Sequence, residues 1–159
     1  MYSKILVPLD SSELAEQALP QVIDNAVAHD AAVHLLQVID SADMTSPLLR
    51  YSLELLSSVG EPDRTHAFEA WEASAAEYLE AVAMRIREAG VSEVTTKVLR
   101  GNPYEAIGNE AEAVGADLIV IATHGRSGLG RAVTGSVADH VIRETPHSAV
   151  LVVRPQATE

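Results

Sequence analysis

The feature that most constrains this chain is a succession of short apolar runs spaced by longer stretches of helical periodicity. Ile5-Leu6-Val7, Val33–Ile39, Asp117–Ala122 and Ser148–Val153 are too brief for helices and rich in β-branched residues. Val94–Leu99 adds a fifth run, with Val94, Thr96 and Val98 alternating against their neighbours as in a half-buried strand. Between them lie four segments with apolar residues at helical spacing. They are Leu14–Ala26, about 67–89, Pro103 to about 114, and 136–144. Near-continuous apolar strands occur where both faces of a sheet are covered. Five such strands alternating with four main helices predict an α/β fold, a single doubly wound open parallel five-stranded sheet with helices on both faces.

Punctuation residues set the expected boundaries. Pro8 cannot donate to a ladder and ends the first strand. Asp10-Ser11-Ser12-Glu13 is a helix start of capping-box type, with Asp10 as the acidic cap. Pro20 falls inside the helical pattern that follows, which predicts a kink or an irregular turn. Gly90 suits the residue just past a helix, and Gly101-Asn102-Pro103 a turn with proline at the first helical position. Trp71 and Tyr78, seven apart on one helix, are expected to pack in the core, and Glu69, Glu72, Glu77 and Glu80 to form a solvated face. Residues 40–66 break the rhythm: they read as an excursion with a short helix near 47–58, either a loop packing its own leucines on the domain or, as its length also allows, a lid or partner surface. With no internal repeat and no linker, the expectation is one domain over 1–159.

Charge narrows the function classes. With 11 Lys+Arg against 23 Asp+Glu the chain carries a formal charge of −12. Such acidity argues against nucleic acid, whose binding needs Lys and Arg to displace counterions, and against anionic lipid. The absence of cysteine removes disulfides, thiolate metal sites and Cys nucleophiles. No apolar run reaches the ~18 residues that suggest a membrane span, and the first residues lack signal-peptide character. A cytoplasmic location without membrane insertion is therefore expected.

In an open parallel sheet, ligands bind beyond the carboxyl ends of the strands. Three segments fall there: Pro8–Ser12, Val38–Asp40 and Ala122–Ser136. The last contains Gly125, Gly128, Gly130 and Gly135, which leave backbone N–H groups bare before a helix whose start favours anions. From Leu118 to Val137 there is no Asp or Glu, while Arg126 and Arg131 are both present. An acid-free window on so acidic a chain points to a negatively charged ligand. No GxxxxGK[ST] loop, GxGxxG fingerprint or GxSxG elbow occurs there. His29, His34, His66, His140 and His147 show no metal-ligand spacing. His124 beside the glycine-rich segment reads as a hydrogen-bonded structural residue rather than a base.

Taken together, Ile5–Ser12, Asp117–Gly128, Gly135–Ala138 and Ala149–Arg154 resemble the universal stress protein family, in order and over nearly the whole chain outside 40–66. The most specific piece is the family's Gly-x2-Gly-x9-Gly-Ser/Thr pattern. Gly125, Gly135 and Ser136 match it with both spacings intact, and Ala122 replaces the first glycine. The resemblance implies a Rossmann-like sheet of order 3-2-1-4-5 and an ATP site, with AMP or ADP as variants and Mg²⁺ as a companion of the phosphates. It places Pro8, Leu9, Asp10 and Ser11 beside adenosine, and Val38 or Ile39 backbone at the adenine edge. Ribose and phosphates fall to Ala122, His124, Gly125, Arg126, Gly128, Arg131, Gly135, Ser136 and Val137. If Ala122 had to adopt left-handed backbone, the strain would cost about 1–2 kcal/mol. The resemblance further implies a homodimer through strand 148–154 and a regulatory role in a stress response, with an unidentified protein partner open. A slow ATPase or kinase and a nucleotide-free scaffold are the competing readings, and no catalytic residue is assigned.

Overall fold

The computed structural model describes residues 1–40, 64–123 and 136–154. The expected helix near 47–58, His124, Gly125, Arg126, Gly128, Arg131 and Gly135 lie outside them. The first strand, β1 (Lys4–Pro8), is followed by α1 (Glu13–Glu16), α2 (Leu19–His29) and β2 (Ala32–Asp40). Next come α3 (Arg64–Glu88), β3 (Val94–Gly101), α4 (Pro103–Val114), β4 (Leu118–Ala122), α5 (Ser136–Glu144) and β5 (Ala149–Val153). The strands form one parallel sheet of order β3-β2-β1-β4-β5.

Local chemistry explains most boundaries. The helical pattern after β1 is two helices rather than one, because Pro20 restarts it: proline is tolerated only in a first turn, and here it sits in the first turn of α2. The cap of α1 is Ser12, whose Oγ accepts from Ala15 N at 3.1 Å, not Asp10 as expected. Asn102 caps α4 by accepting from Tyr104 N at 2.9 Å, and Gly115 ends it at φ +66°, a left-handed position where glycine is free of strain.

Each strand sends alternate residues to opposite layers. Ile5, Val7, Val33, Leu35 and Val120 pack with Val22 of α2 and Leu79, Val82 and Ile86 of α3. Leu6, Leu36 and Ile119 face Ile107 and Ala111 of α4 and Val141 of α5. Helices thus cover both faces. A polar tie locks two central strands at their starts. Asp117 accepts from Ser3 N, Ser3 Oγ and Lys4 N at 2.8, 2.7 and 3.1 Å, tying the start of β4 to that of β1.

One buried polar string crosses the second layer. Lys97 Nζ of β3 donates to Glu110 Oε2 at 2.8 Å, and Glu110 Oε1 lies 3.1 Å from His34 Nε2. His34 Nδ1 is 2.7 Å from Thr95 Oγ1. Neutral His34 with its proton on Nε2 satisfies every contact: Thr95 donates to Nδ1 and Nε2–H donates to the carboxylate. Burial pushes the His34 pKa down, against the pull of the Glu110 carboxylate. Among the described residues no helix is long and apolar enough to cross a membrane.

A candidate ligand cleft at the carboxyl edge of the sheet

Beyond the carboxyl ends of the strands lies a cleft of about 390 Å³. Pro8, Leu9 and Asp10 form its middle, where β1 turns into α1. Leu36, Val38 and Asp40 supply the β2 side, and Ile121, Ala122 and Thr123 the β4 side. Leu14 and Ala15 of α1, Pro103 and Ile107 of α4, and Val137 and Ala138 of α5 complete the walls. Most of these groups are apolar, so the cleft suits a flat, largely apolar body with a few polar edges.

Backbone direction supplies one such edge. Leu9 N donates to Leu36 O at 2.8 Å, the last rung between β1 and β2. In a parallel ladder, alternate residues of a strand turn their N–H and C=O the same way. The backbone groups of Val38 therefore point toward β1 after β1 has already turned away. They present a donor and an acceptor to whatever fills the cleft, the arrangement that an adenine edge requires.

The turn after β1 is held in an unusual shape. Ser11 sits at φ +66°, a left-handed conformation costing a non-glycine residue about 1–2 kcal/mol. Local bonds hold it there. Gln37 Nε2 donates to Ser11 Oγ at 3.2 Å, while Asp10 Oδ1 accepts from Ser12 N at 3.0 Å and Ser12 Oγ at 2.5 Å. A strained, bonded turn that presents a carboxylate at a cleft is the kind of feature found at ligand sites.

Of the residues selected from the sequence, Pro8, Leu9, Asp10, Val38, Ala122 and Val137 line this cleft. Ser11 and Ile39 line a second compartment of about 280 Å³ that shares Asp10, Val38 and Asp40 with the first. Ser136 opens α5. Ala122 is a regular residue of β4, paired with Val153 and without positive φ, so the feared left-handed strain is absent. Only a close approach of ligand to its Cβ distinguishes it from glycine.

Sequence reasoning missed several lining residues. Leu14, Ala15 and Ile107 look like ordinary helix-face residues, and nothing in their spacing marks a cleft. Trp71 is a correction. Tyr78 packs against the first core layer, but Trp71 is half-buried, stands outside both layers and lines the second compartment with Ser74 and Ala75. Its only signal was its place at the early end of α3, near where β2 ends. Among the described residues no group of three or more His, Asp or Glu is placed to hold a metal ion.

Comparison with known proteins adds a lineage to this geometry. The model of the universal stress protein family matches residues 1–154. Universal stress protein MJ0531 of Methanocaldococcus jannaschii is 34% identical over 159 residues, covering 100% of this chain and 86% of that protein. The solved structure of MJ0577 from the same organism superposes with a TM-score of 0.77 at 30% identity, covering 99% of both chains. An Arabidopsis thaliana protein of the family, solved with AMP bound, has the same fold, with a TM-score of 0.65 at 18% identity, covering 98% of this chain and 93% of that one.

Proposed function

This chain belongs to the universal stress protein family, and from that premise we propose that it binds an adenine nucleotide, ATP first among them, in the cleft beside Asp10. The observation that carries the reading is the pairing of an apolar cleft with the unladdered Val38 backbone past the end of β1. The base lies against Val38 and Ile39, the ribose beside Asp10, and the phosphates reach the acid-free segment Ala122–Ser136 with its Arg126 and Arg131. Bare glycine amides and the start of α5 favour that negative charge, and Mg²⁺ would accompany the phosphates. The Arabidopsis relative binds AMP, which shows that this fold accommodates such a ligand in that protein.

The protein acts as a nucleotide-dependent regulator in the cytoplasm rather than as an efficient enzyme. Phosphoryl transfer needs a positioned base or water and electrostatic clamps, and the three segments assigned to the nucleotide offer the carboxylates Asp10 and Asp40 and the loop arginines Arg126 and Arg131 without a catalytic-loop signature. Bound nucleotide would bias its contacts with a partner. One such partner is a second copy of the chain. β5 lies at the edge of the sheet and exposes apolar side chains only partly covered. Pairing that edge with its twin would satisfy the open backbone groups.

The test is direct. Acid denaturation of purified protein followed by ion-exchange chromatography should release adenine nucleotide, and ATP with Mg²⁺ should raise Tm. Asp10→Arg and Gly135→Trp should abolish that rise while leaving the circular dichroism unchanged. No released nucleotide and no thermal shift would refute nucleotide binding. ADP or AMP in place of ATP would favour turnover.

A further inference from the structure

The cleft has two compartments that differ in chemistry. The larger is mainly apolar and runs from β2 across to β4 and α5. The smaller lies on the α3 side, where Trp71, Ser74 and Ala75 occupy one helix face at i, i+3 and i+4 above Gln37, Ile39 and the strained Ser11. Two carboxylates, Asp10 and Asp40, border both compartments, and among the described lining residues there is no Lys or Arg. A phosphate placed between these carboxylates would meet like charge. A flat, neutral ring bearing an amino group would meet a carboxylate acceptor at its edge and an indole at its face. Ala122 and Thr123, after which the anion-favouring sequence follows, line the opposite, β4 side of the cleft.

We infer that Trp71 contacts the base of the bound nucleotide, closing the Val38 end of the cleft and setting the preference for a planar base there. The inference rests on the nucleotide reading above and goes beyond it by naming a ligand-contacting residue from outside the three strand-end segments. It also accounts for a half-exposed tryptophan beside a core that has room for Tyr78.

Trp71 is the one tryptophan of the chain, so its emission reports on this compartment alone. Calorimetry and fluorescence would be run together with adenosine, ATP and inorganic tripolyphosphate. Adenosine and ATP should both change Trp71 emission, and tripolyphosphate should not. Trp71→Leu should weaken adenosine and ATP about tenfold, the scale of one lost base–aromatic stack, and leave tripolyphosphate binding unchanged. Trp71→Phe should restore most of the loss. Ser74→Tyr, at an exposed position one turn along, should narrow the compartment and weaken adenosine even if the Trp71 variants fold poorly.

ATP binding by calorimetry with unchanged emission, and with wild-type affinity in Trp71→Leu, would overturn the inference and leave the nucleotide reading standing. Equal losses for adenosine and tripolyphosphate would also overturn it, since they would mark a general structural role. No heat and no thermal shift with any nucleotide would refute the nucleotide reading, and this inference with it.

Discussion

Glu110 is the residue whose removal the structure prices most clearly. It is 4% exposed on α4 and holds two partners from two different strands, Lys97 of β3 and His34 of β2. In Glu110→Ala, Lys97 turns to solvent, because its side chain is already half-exposed. His34 cannot follow: its Nε2–H is buried and left unpaired, which costs about 1–3 kcal/mol. Loss of the Cγ methylene adds roughly 0.8 kcal/mol of burial. Relief of the carboxylate's own desolvation offsets part of this, so the expected net loss is about 1–3 kcal/mol. Glu110→Gln keeps an acceptor for His34 and loses mainly the charge attraction, so about 1 kcal/mol is expected. Urea denaturation followed by circular dichroism at pH 7.5 reads both. The pH dependence gives an independent check. His34 has a folded pKa below its ordinary 6.5, so the unfolded chain takes up this proton first. Its contribution is present above pH 6.5 and is lost as pH falls below that value toward the folded pKa. His34→Gln, whose amide can donate to Glu110 and accept from Thr95, should remove that part of the acid sensitivity. A loss under about 0.5 kcal/mol in Glu110→Ala, or an unchanged acid profile in His34→Gln, would refute the string as a structural tie.

Three further expectations follow from single contacts. Asp117→Ala removes the acceptor of three bonds from Ser3 and Lys4 and should cost about 1–2 kcal/mol by thermal or urea melts. Burial alone would raise the Asp117 carboxyl, but those bonds outweigh it and hold it below 3.8. Its stabilisation is therefore full above pH 3.8 and fades as pH falls through the lower folded value, a loss that Asp117→Asn should lack. Tyr78→Phe deletes a buried hydroxyl that makes no well-formed hydrogen bond among the described residues, although the Glu16 carboxylate stands near it, so stability should be unchanged or raised by up to about 1 kcal/mol, and a clear loss would show a bond to Glu16. Ala149 N donates to Asp117 O and Val153 O accepts from Thr123 N, so Val150 and Val152 turn their backbone outward from the sheet. The native chain should then run as a dimer by light scattering and Val152→Pro as a monomer, while a native monomer would refute the proposed pairing at this edge.

Much of the fold was legible because parallel strands buried on both faces must be apolar throughout, and covering helices must show one apolar stripe. Ile5-Leu6-Val7, Leu118–Ala122 and the α4 segment from Pro103 carry those patterns locally, and the structure follows them to within a residue or two. The strand-end segments were legible too, since Pro8–Asp10, Val38 and Ala122 meet at one cleft as the alternation of strands and helices requires. Local sequence did not decide which side chain does what at these sites. Asp10 and Ser12 compete for one cap, and the winner depends on where the left-handed Ser11 sends the chain. Trp71 and Tyr78 share a helix face by spacing, yet only the lateral position of α3 puts one in the core and the other at the cleft. The join of His34, Thr95, Lys97 and Glu110 spans three elements up to 76 residues apart. Periodicity along a chain reports the face a residue turns, while which faces meet is settled by the packing of whole layers, and that information exists only in three dimensions.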